Sequence, residues 1–387
     1  MTKKTYIPSG QFCSPFGLIH GLLNPTKSLP NWWKIPFKQT LHFHRARTCI
    51  SFACEYLKIH PGSEVLIPAY NCGSEIDPLL QMGIKVVMYR IDRLGRIDLD
   101  DIVKKITPNT RAVYVTHYFG WPQELVNLAQ ICKDQKIQII EDCALALFSQ
   151  SETMPIAHFG DAAIFSLPKF LPVPDGGFLA LKPAILTTHQ HLKKPLSREV
   201  LHATLPFLKR WFLSSFRMPF QPHYQKRIVK RADTSLLEMN KFPDMPKSYY
   251  YDSSRFRRRM SKLTLSILNT LDIKAVIKAR RHNYLILLES ITTSTSIQPL
   301  FNGLPAGVCP IMLPLLVKDR HTMITWLKSH GVPAYPWWSG YHQDLDWSQF
   351  PDARYLKDHV LCLPVHQNLN DEHLNYMIKC LSDWESI

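Results

Sequence analysis

The sequence predicts an α/β protein with a mainly parallel central sheet and helices on both faces, followed by a small α+β C-terminal domain. Short apolar strands alternate with helices of similar length from residue 45 to residue 166, and a less regular set of elements resumes after residue 259. Such alternation is typical of right-handed β–α–β crossovers, which build parallel sheets. With 387 residues, 45% of them apolar, the chain exceeds one ordinary core, so we expect two domains or one large α/β domain with a smaller appendix.

Residues 1–40 form a predicted irregular N-terminal arm. Prolines interrupt any long helix or strand there, and Trp32 and Trp33 offer apolar surface through which the arm can pack. The prolines are Pro8, Pro15, Pro25, Pro30 and Pro36.

The large α/β domain is predicted to span residues 41–183. Its elements follow from apolar periodicity and from turn signals such as Pro61-Gly62. They are helix 47–59, strand 65–67, helix 75–82, strand 85–89, helix 99–106, strand 112–116, helix 124–134, strand 137–140 and strand 162–166.

Two further segments are predicted beyond this domain. Residues 184–258 are rich in basic and aromatic side chains and predict a helical or irregular excursion, whereas residues 259–387 predict the small α+β domain. The predicted elements of the small domain are helix 260–289, strand 308–317, helix 320–330, strand 360–363 and helix 371–384.

Composition narrows the class of protein. Nine cysteines, an odd number without a C-x-x-C pair, argue against a disulfide framework and a zinc ribbon. No apolar stretch reaches the roughly 18 residues of a membrane helix, so we expect a cytoplasmic protein with reduced thiols. The net charge of +15 attracts acidic small molecules, anionic lipid and nucleic acid alike, and charge alone does not choose among them.

Lys169 stands in an unusual setting, FSLPKFLPVPDGG over residues 165–177. Burial among apolar side chains and prolines disfavours the ammonium form, which lowers the pKa of a lysine towards the range where the free amine is nucleophilic. Such a lysine can form a Schiff base with a carbonyl compound. The alternative is a lysine that lies along apolar surface while its head reaches water.

Asp142 ends a predicted strand. Strand 137–140 runs directly into Glu141 and Asp142, at the sheet edge where open parallel sheets bind their ligands. Asp142 could cap a following helix. Alternatively, it could hold the ring nitrogen of pyridoxal phosphate protonated, with Lys169 addressing the same ring after one further strand.

Several segments in the right order resemble the pyridoxal-phosphate aminotransferases of the DegT/DnrJ/EryC1/StrS type, which act on keto sugars. The resemblance runs from about residue 45 to 177 and again from about 259 to 381. The segments that carry it are PGSEVLIPAY at 61–70, HYFGWP at 117–122, IEDCA at 140–144, GDAAIFS at 160–166, the interval from Lys169 to Gly176-Gly177, RMS at 259–261 and LPVHQNL at 363–369.

The resemblance implies fold type I, pyridoxal 5′-phosphate as cofactor, and transfer of an amino group from an amino acid, with glutamate the expected donor. The expected acceptor is a nucleotide-linked keto sugar in surface-polysaccharide or related amino-sugar biosynthesis. Roles carried over by position are a Schiff base for Lys169, pairing with the pyridine nitrogen for Asp142, and phosphate binding for Arg47, Thr48 and Ser166. The resemblance also implies a homodimer with its active site at the subunit interface.

The chain departs from the family pattern at several positions. Leu145 replaces a glutamine near the ring hydroxyl, and Cys72 replaces an aromatic that stacks on the ring. Arg257 replaces an asparagine that reaches the phosphate from the partner subunit, and as a charged donor it could still bind there. Ala46 replaces the glycine of the phosphate turn, so Arg47 could also be a surface charge. The interval before Lys169 is two residues shorter than usual.

Other interpretations stay open at this stage. One is another fold-type-I enzyme, a lyase or a non-sugar aminotransferase; Lys169 argues against the sugar dehydratases, for which the resemblance leads us to expect histidine. A second is a non-catalytic relative that binds membrane or nucleic acid through residues 209–231. We do not expect nucleic acid as a partner of the enzyme, whereas peripheral membrane contact fits the basic excursion. His117 and His366 could contact substrate or serve structure, and no ligand spacing predicts a metal site.

Overall fold

The computed structural model describes residues 6–24, 30, 37, 39–151, 154–182, 192–216, 257–291, 294 and 296–385. Its helices are α1 (Pro15–Leu23), α2 (Arg47–Tyr56), α3 (Gly73–Gln81), α4 (Leu99–Lys105), α5 (Val126–Asp134), α6 (Ser197–Ser215), α7 (Lys262–Leu268), α8 (Ile273–Ser290), α9 (Arg320–Ser329), α10 (Pro351–His359) and α11 (Asp371–Glu385). Its strands are β1 (Gln39–Phe43), β2 (Glu64–Pro68), β3 (Lys85–Tyr89), β4 (Thr110–Thr116), β5 (Gln138–Asp142), β6 (Ala162–Ser166), β7 (Gly177–Leu181), β8 (Ile297–Pro299), β9 (Met312–Val317), β10 (Tyr335–Pro336) and β11 (Val360–Pro364).

The large domain contains a seven-stranded sheet in the order β1-β7-β6-β5-β4-β2-β3. Strands β6, β5, β4, β2 and β3 are parallel, whereas β7 runs antiparallel to both of its neighbours. All residues of β2, β6 and β7 are buried, as expected for strands covered on both faces. The predicted α/β class with a mainly parallel sheet is therefore confirmed, and the C-terminal ends of β2, β5 and β6 point to one side of the sheet.

The C-terminal part has its own sheet and its own core. Four antiparallel strands lie in the order β10-β11-β9-β8. Helices α8, α9 and α11 contribute apolar side chains to a second hydrophobic cluster around this sheet. This arrangement is the predicted small α+β domain.

Three local predictions were wrong. The arm includes helix α1, since Pro15 occupies the first helical position, where its missing N–H costs nothing, and the Ser14 hydroxyl accepts from Gly17 N at 3.1 Å. The predicted helix 260–289 is two helices, because Ser261 caps α7 and Asp272 caps α8. Strands β1, β7, β8 and β10 and helix α10 were also missed. Trp32 and Trp33 lie outside the described residues.

The excursion at residues 184–258 is described only in part. Helix α6 accounts for residues 197–215, and most of the basic and aromatic segment after it lies outside the described residues. Helix α6 is the described part of the predicted excursion, and what was predicted for the remaining residues stays a prediction.

Candidate active site

A cavity of about 240 Å³ opens where β5 and β6 end and where α2 and α3 begin. We call it the lysine cavity. It is lined by side chains from both domains, among them Arg45, Arg47, Cys72, Glu75, Asp142, Ser166, Lys169, Trp337 and Trp338. The structure therefore brings Lys169, Asp142, Arg47, Ser166 and Cys72, five of the predicted site residues, to one cavity.

Lys169 enters this cavity from a tight turn. Strand β6 ends at Ser166, and a short 3₁₀ turn over Leu167–Lys169 follows, closed by the Phe170 N–H donating to Leu167 O at 3.1 Å. The Leu167 side chain is fully buried, which fixes the turn and directs the half-buried lysine into the cavity. Its amine has no hydrogen-bond partner within the described part of the chain, so it is available to a ligand.

Asp142 is a buried carboxylate at the end of β5. Its Oδ2 accepts from the Tyr114 hydroxyl at 2.6 Å, and its Oδ1 accepts from Ala144 N at 2.8 Å. The described residues between β5 and β6 form turns instead of a helix, so the capping interpretation of Asp142 was wrong. Each carboxylate oxygen keeps a further lone pair, and a protonated ring nitrogen in the cavity could bind there.

The start of α2 forms another wall of the lysine cavity. Ala46 stands at the N-cap position, where its methyl side chain cannot cap the helix. A helix N-terminus carries partial positive charge, and Arg47 adds a full one, which suits a phosphate. Gly177 lets β7 approach this turn, because a Cβ there would collide with the backbone of Arg45.

Two of the predicted cofactor residues lie elsewhere. The Thr48 side chain is fully buried within α2 and does not line the cavity. Arg257 pairs with Glu55 at 2.9 Å and lies 4.8 Å from the ring centroid of Phe52, on the exposed surface. Its predicted contact with a phosphate across a subunit interface stays a prediction.

Sequence reasoning missed Glu75, an acid inside the lysine cavity. Cys72 Sγ lies 3.8 Å from Glu75 Oε1, and Glu75 Oε2 is buried without a hydrogen-bond partner among the described residues. Burial raises the pKa of Glu75 to about 8, with a further contribution from the charge of Asp142, which Lys169 partly offsets. Burial also raises the pKa of the Cys72 thiol to about 12. The sequence signal that could have identified Glu75 is its position in the first turn of α3, three residues after Cys72.

Trp337 and Trp338 were also missed. They bring the small domain to the cavity, with their rings stacked at a centroid distance of 5.8 Å. Tyr70, which is fully buried below them, donates from its hydroxyl to Trp337 O and lies 5.6 Å from the Trp338 ring. Adjacent tryptophans beside a strand gave no periodic signal that pointed to a site.

His117 and His366 have structural partners. His117 Nε2 lies 2.8 Å from Glu141 Oε2, and its Nδ1 accepts from Gln123 N at 2.9 Å. His366 Nε2 lies 2.9 Å from Pro8 O, and burial lowers the pKa of His366 to about 3.

One group of metal-ligating residue types also lies close together. The donor atoms of His117, Glu141 and Cys143 lie within 4.8 Å of one another. Both nitrogens of His117 are in use, and Glu141 Oε1 accepts from Gly160 N, so these atoms serve hydrogen bonds within the fold.

Comparison with known proteins shows what the segment that carries this site is similar to. Residues 42–194 match the model of the DegT/DnrJ/EryC1/StrS aminotransferase family. The resemblance predicted from the motifs is thus confirmed over the segment that carries Arg47, Asp142 and Lys169. Among curated proteins, a dTDP-4-dehydro-2,3,6-trideoxy-D-glucose 4-aminotransferase from Saccharopolyspora spinosa is 30% identical over 152 residues. The match covers 38% of this chain and 40% of that protein, so the chain spans about two fifths of its length.

Solved structures extend the similarity of fold to the whole chain. Helicobacter pylori PseC, an aminotransferase involved in the biosynthesis of pseudoaminic acid, gives a TM-score of 0.70 at 16% identity and covers 99% of this chain and 100% of its own. The PLP form of Spr1654 from Streptococcus pneumoniae also gives 0.70 at 16% identity, covering 98% and 99%. These similarities confirm the predicted fold class. Among the described residues, no helix combines the length and apolar character needed to cross a membrane.

Proposed function

We propose that the protein is a pyridoxal-phosphate-dependent aminotransferase that moves an amino group from an amino acid, with glutamate the expected donor, to a nucleotide-linked keto sugar. The observation that carries the proposal is the presence of the Lys169 amine and the Asp142 carboxylate in one cavity at the C-terminal edge of the sheet. Paired groups of this kind address the aldehyde and the ring nitrogen of the cofactor.

The residues present fit the cofactor. Lys169 has an amine without a hydrogen-bond partner in the described chain, Asp142 has spare lone pairs, and the start of α2 with Arg47 offers an anion site. Glu75 Oε2 is a buried polar atom without a partner among the described residues, as expected of a group that faces a ligand.

Each group has a distinct task in this proposal. When bound, pyridoxal phosphate supplies a ring that withdraws electrons from the substrate carbon. Lys169 would hold the cofactor at its aldehyde end, and its Nζ would move the proton that the substrate carbon loses. Asp142 keeps a positive charge at the ring nitrogen. Trp337 and Trp338 cover the cavity from the small domain and exclude water from the proton transfer.

The acceptor, assembly and location belong to the proposal as well. The Saccharopolyspora spinosa relative is named for a dTDP-linked keto sugar, which supports a nucleotide-linked acceptor. A homodimer with Arg257 near the partner's phosphate site, and action in the cytoplasm, follow from the family. The nine cysteines are all free thiols, which supports a reducing compartment.

Covalent trapping tests the proposal. Purified protein with pyridoxal phosphate should absorb visible light, and borohydride should fix the cofactor on the peptide that contains Lys169. Lys169→Ala should abolish the reducible adduct. Lys182→Ala is the matched control, because Lys182 is half-buried, donates to Phe159 O at 2.9 Å and lies at the opposite edge of the sheet, outside the lysine cavity.

Half-reactions then separate the activities. Glutamate should convert the cofactor to its amine form, and a nucleotide-linked keto sugar from a panel should return it. An adduct that persists in Lys169→Ala would overturn the assignment of the lysine. Turnover of amino acids without transfer to any ketone would instead favour a lyase on the same fold.

A further inference from the structure

A second cavity, of about 350 Å³, adjoins the lysine cavity. The two share Arg45, Pro168, Lys169 and Trp337 as lining residues, so a molecule that reaches Lys169 can extend from one into the other. We call the second one the arginine cavity, since Arg45, Arg210 and Arg280 line it.

The charged groups that line the arginine cavity are all positive. Three guanidinium groups and the Lys169 amine line it, and no carboxylate from the described part of the chain does. His366 also lines the wall, but burial lowers its pKa to about 3, so the imidazole is neutral at physiological pH. Low-dielectric walls that carry charge of one sign concentrate ligands of the opposite sign.

Arg280 is buried there, and no carboxylate among the described residues forms an ion pair with it. Its side chain is 1% exposed, and its Nη atoms donate to the backbone carbonyls of Phe170 at 3.0 Å and Ile311 at 3.1 Å. Its Nε has no hydrogen-bond partner in the described residues. Burial lowers the pKa of Arg280 to about 10, which still leaves it charged at neutral pH. A buried cation is costly without a partner, so an anion in this cavity would compensate the charge.

Arg210 comes from α6, in the excursion that departs from the family pattern. The N-terminal arm holds it in place, because Arg210 Nη1 donates to Gln11 O at 3.3 Å. Gln11 in turn donates from Nε2 to Pro168 O at 2.5 Å and to Leu171 O at 3.2 Å, on either side of the Lys169 turn. The arm and α6 therefore close one wall of the arginine cavity beside the reactive amine.

We propose that the arginine cavity binds an oxyanion of the substrate, a carboxylate or a phosphate, through Arg210, Arg280 and Arg45 while the reacting atoms lie at Lys169. The inference rests on the proposed aminotransferase function and assigns a specificity role to the atypical segment. Carboxylates of the donor and the diphosphate of the acceptor share the chemistry that a guanidinium recognises.

The test compares three variants of the holoenzyme, namely Arg210→Met, Arg210→Lys and Arg198→Met. Arg198 is the matched control, because it is exposed on the same helix and does not line the cavity. KM and kcat are measured in both half-reactions, and binding of inorganic pyrophosphate and of glutarate is measured by calorimetry. Arg210→Met should raise the KM of one half-reaction by ~10-fold or more and weaken the affinity for one of the two anions by a similar factor, as expected for a lost hydrogen bond to a charged group. The kcat should change far less.

Each outcome decides the question. Arg210→Lys should recover part of the affinity, and Arg198→Met should match the wild type. A change confined to the glutamate half-reaction and to glutarate identifies a carboxylate, whereas a change confined to the keto-sugar half-reaction and to pyrophosphate identifies a phosphate. Wild-type values of both KM and both anion affinities in Arg210→Met would overturn the inference. A wild type that binds these anions but forms no adduct at Lys169 would instead refute the proposed function alone.

Discussion

Asp142 and Glu75 are two buried carboxyl groups that face the same cavity with different surroundings. Asp142 accepts hydrogen bonds from a hydroxyl and a backbone N–H, both of which stabilise negative charge. Glu75 has the weak thiol donor and the backbone of Cys72 beside it, and the charge of Asp142 disfavours its ionised form. Burial raises the pKa of Glu75 to about 8, so Glu75 is suited to hold a proton near Lys169.

Glu75 makes the stability of the cofactor-free protein depend on pH. In the unfolded chain it loses its proton near its ordinary pKa of 4.5, whereas burial and the charge of Asp142 raise the pKa in the folded protein to about 8. The folded state therefore binds the extra proton between these values, and stability falls as pH rises through them, by up to about 1.4 kcal/mol per pH unit. Glu75→Gln should remove this loss. Its stability gain over the wild type, measured by urea unfolding, should be larger at pH 8 than at pH 5.

Glu64→Gln is the control of opposite sign for this prediction. Hydrogen bonds from Lys85 and Thr107 lower the pKa of Glu64. Glu64 therefore stabilises the fold above its unfolded pKa and loses that contribution in acid, so its glutamine variant should be less stable than the wild type at neutral pH and approach it at low pH. An equal effect of Glu75→Gln at pH 5 and pH 8 would show that Glu75 does not keep its proton.

At the scale of elements, α10 connects two loops that line the lysine cavity. Lys357 is fully buried on this helix, and its Nζ donates to Asn71 O at 2.6 Å and to Gly340 O at 2.7 Å. Asn71 precedes Cys72 at the start of α3, and Gly340 follows the Trp337-Trp338 pair. One ammonium group thus joins a loop of the large domain to a loop of the small domain.

Lys357→Met should destabilise the protein by about 3 kcal/mol, because the buried carbonyl of Asn71 and the half-buried carbonyl of Gly340 lose their donor. It should also weaken the affinity for pyridoxal phosphate, since both connected loops line the cavity. Unfolding in urea and a titration of the visible absorbance measure the two effects. Lys379→Met, at an exposed position of α11, should stay within about 0.5 kcal/mol of the wild type. Equal stability of the two variants would contradict the connecting role of Lys357.

For the whole molecule, the sequence predicted what local periodicity and strand ends encode. Alternating strands and helices indicated the parallel sheet. Open parallel sheets bind ligands at the C-terminal ends of their strands, and this rule predicted that Asp142 and Lys169 face one ligand. Strands β1 and β7 were not predictable in this way, because their pairing joins residues far apart in sequence. Trp337 reaches the cavity only through the packing of the small domain against the large one, and no local pattern encodes that contact.

The same packing predicts that the cofactor stabilises the protein as a unit. Residues from both domains line the lysine cavity, so a ligand that binds only the folded arrangement should raise the free energy of unfolding of both. At a hundredfold excess over its dissociation constant, the gain is about 2.7 kcal/mol. Urea unfolding with and without pyridoxal phosphate should show this shift in tryptophan fluorescence and in far-ultraviolet circular dichroism alike. Lys169→Ala should lose much of it, because the covalent link is gone, whereas Lys182→Ala should keep it. A shift in only one of the two signals would mean that the cofactor stabilises one domain without the other.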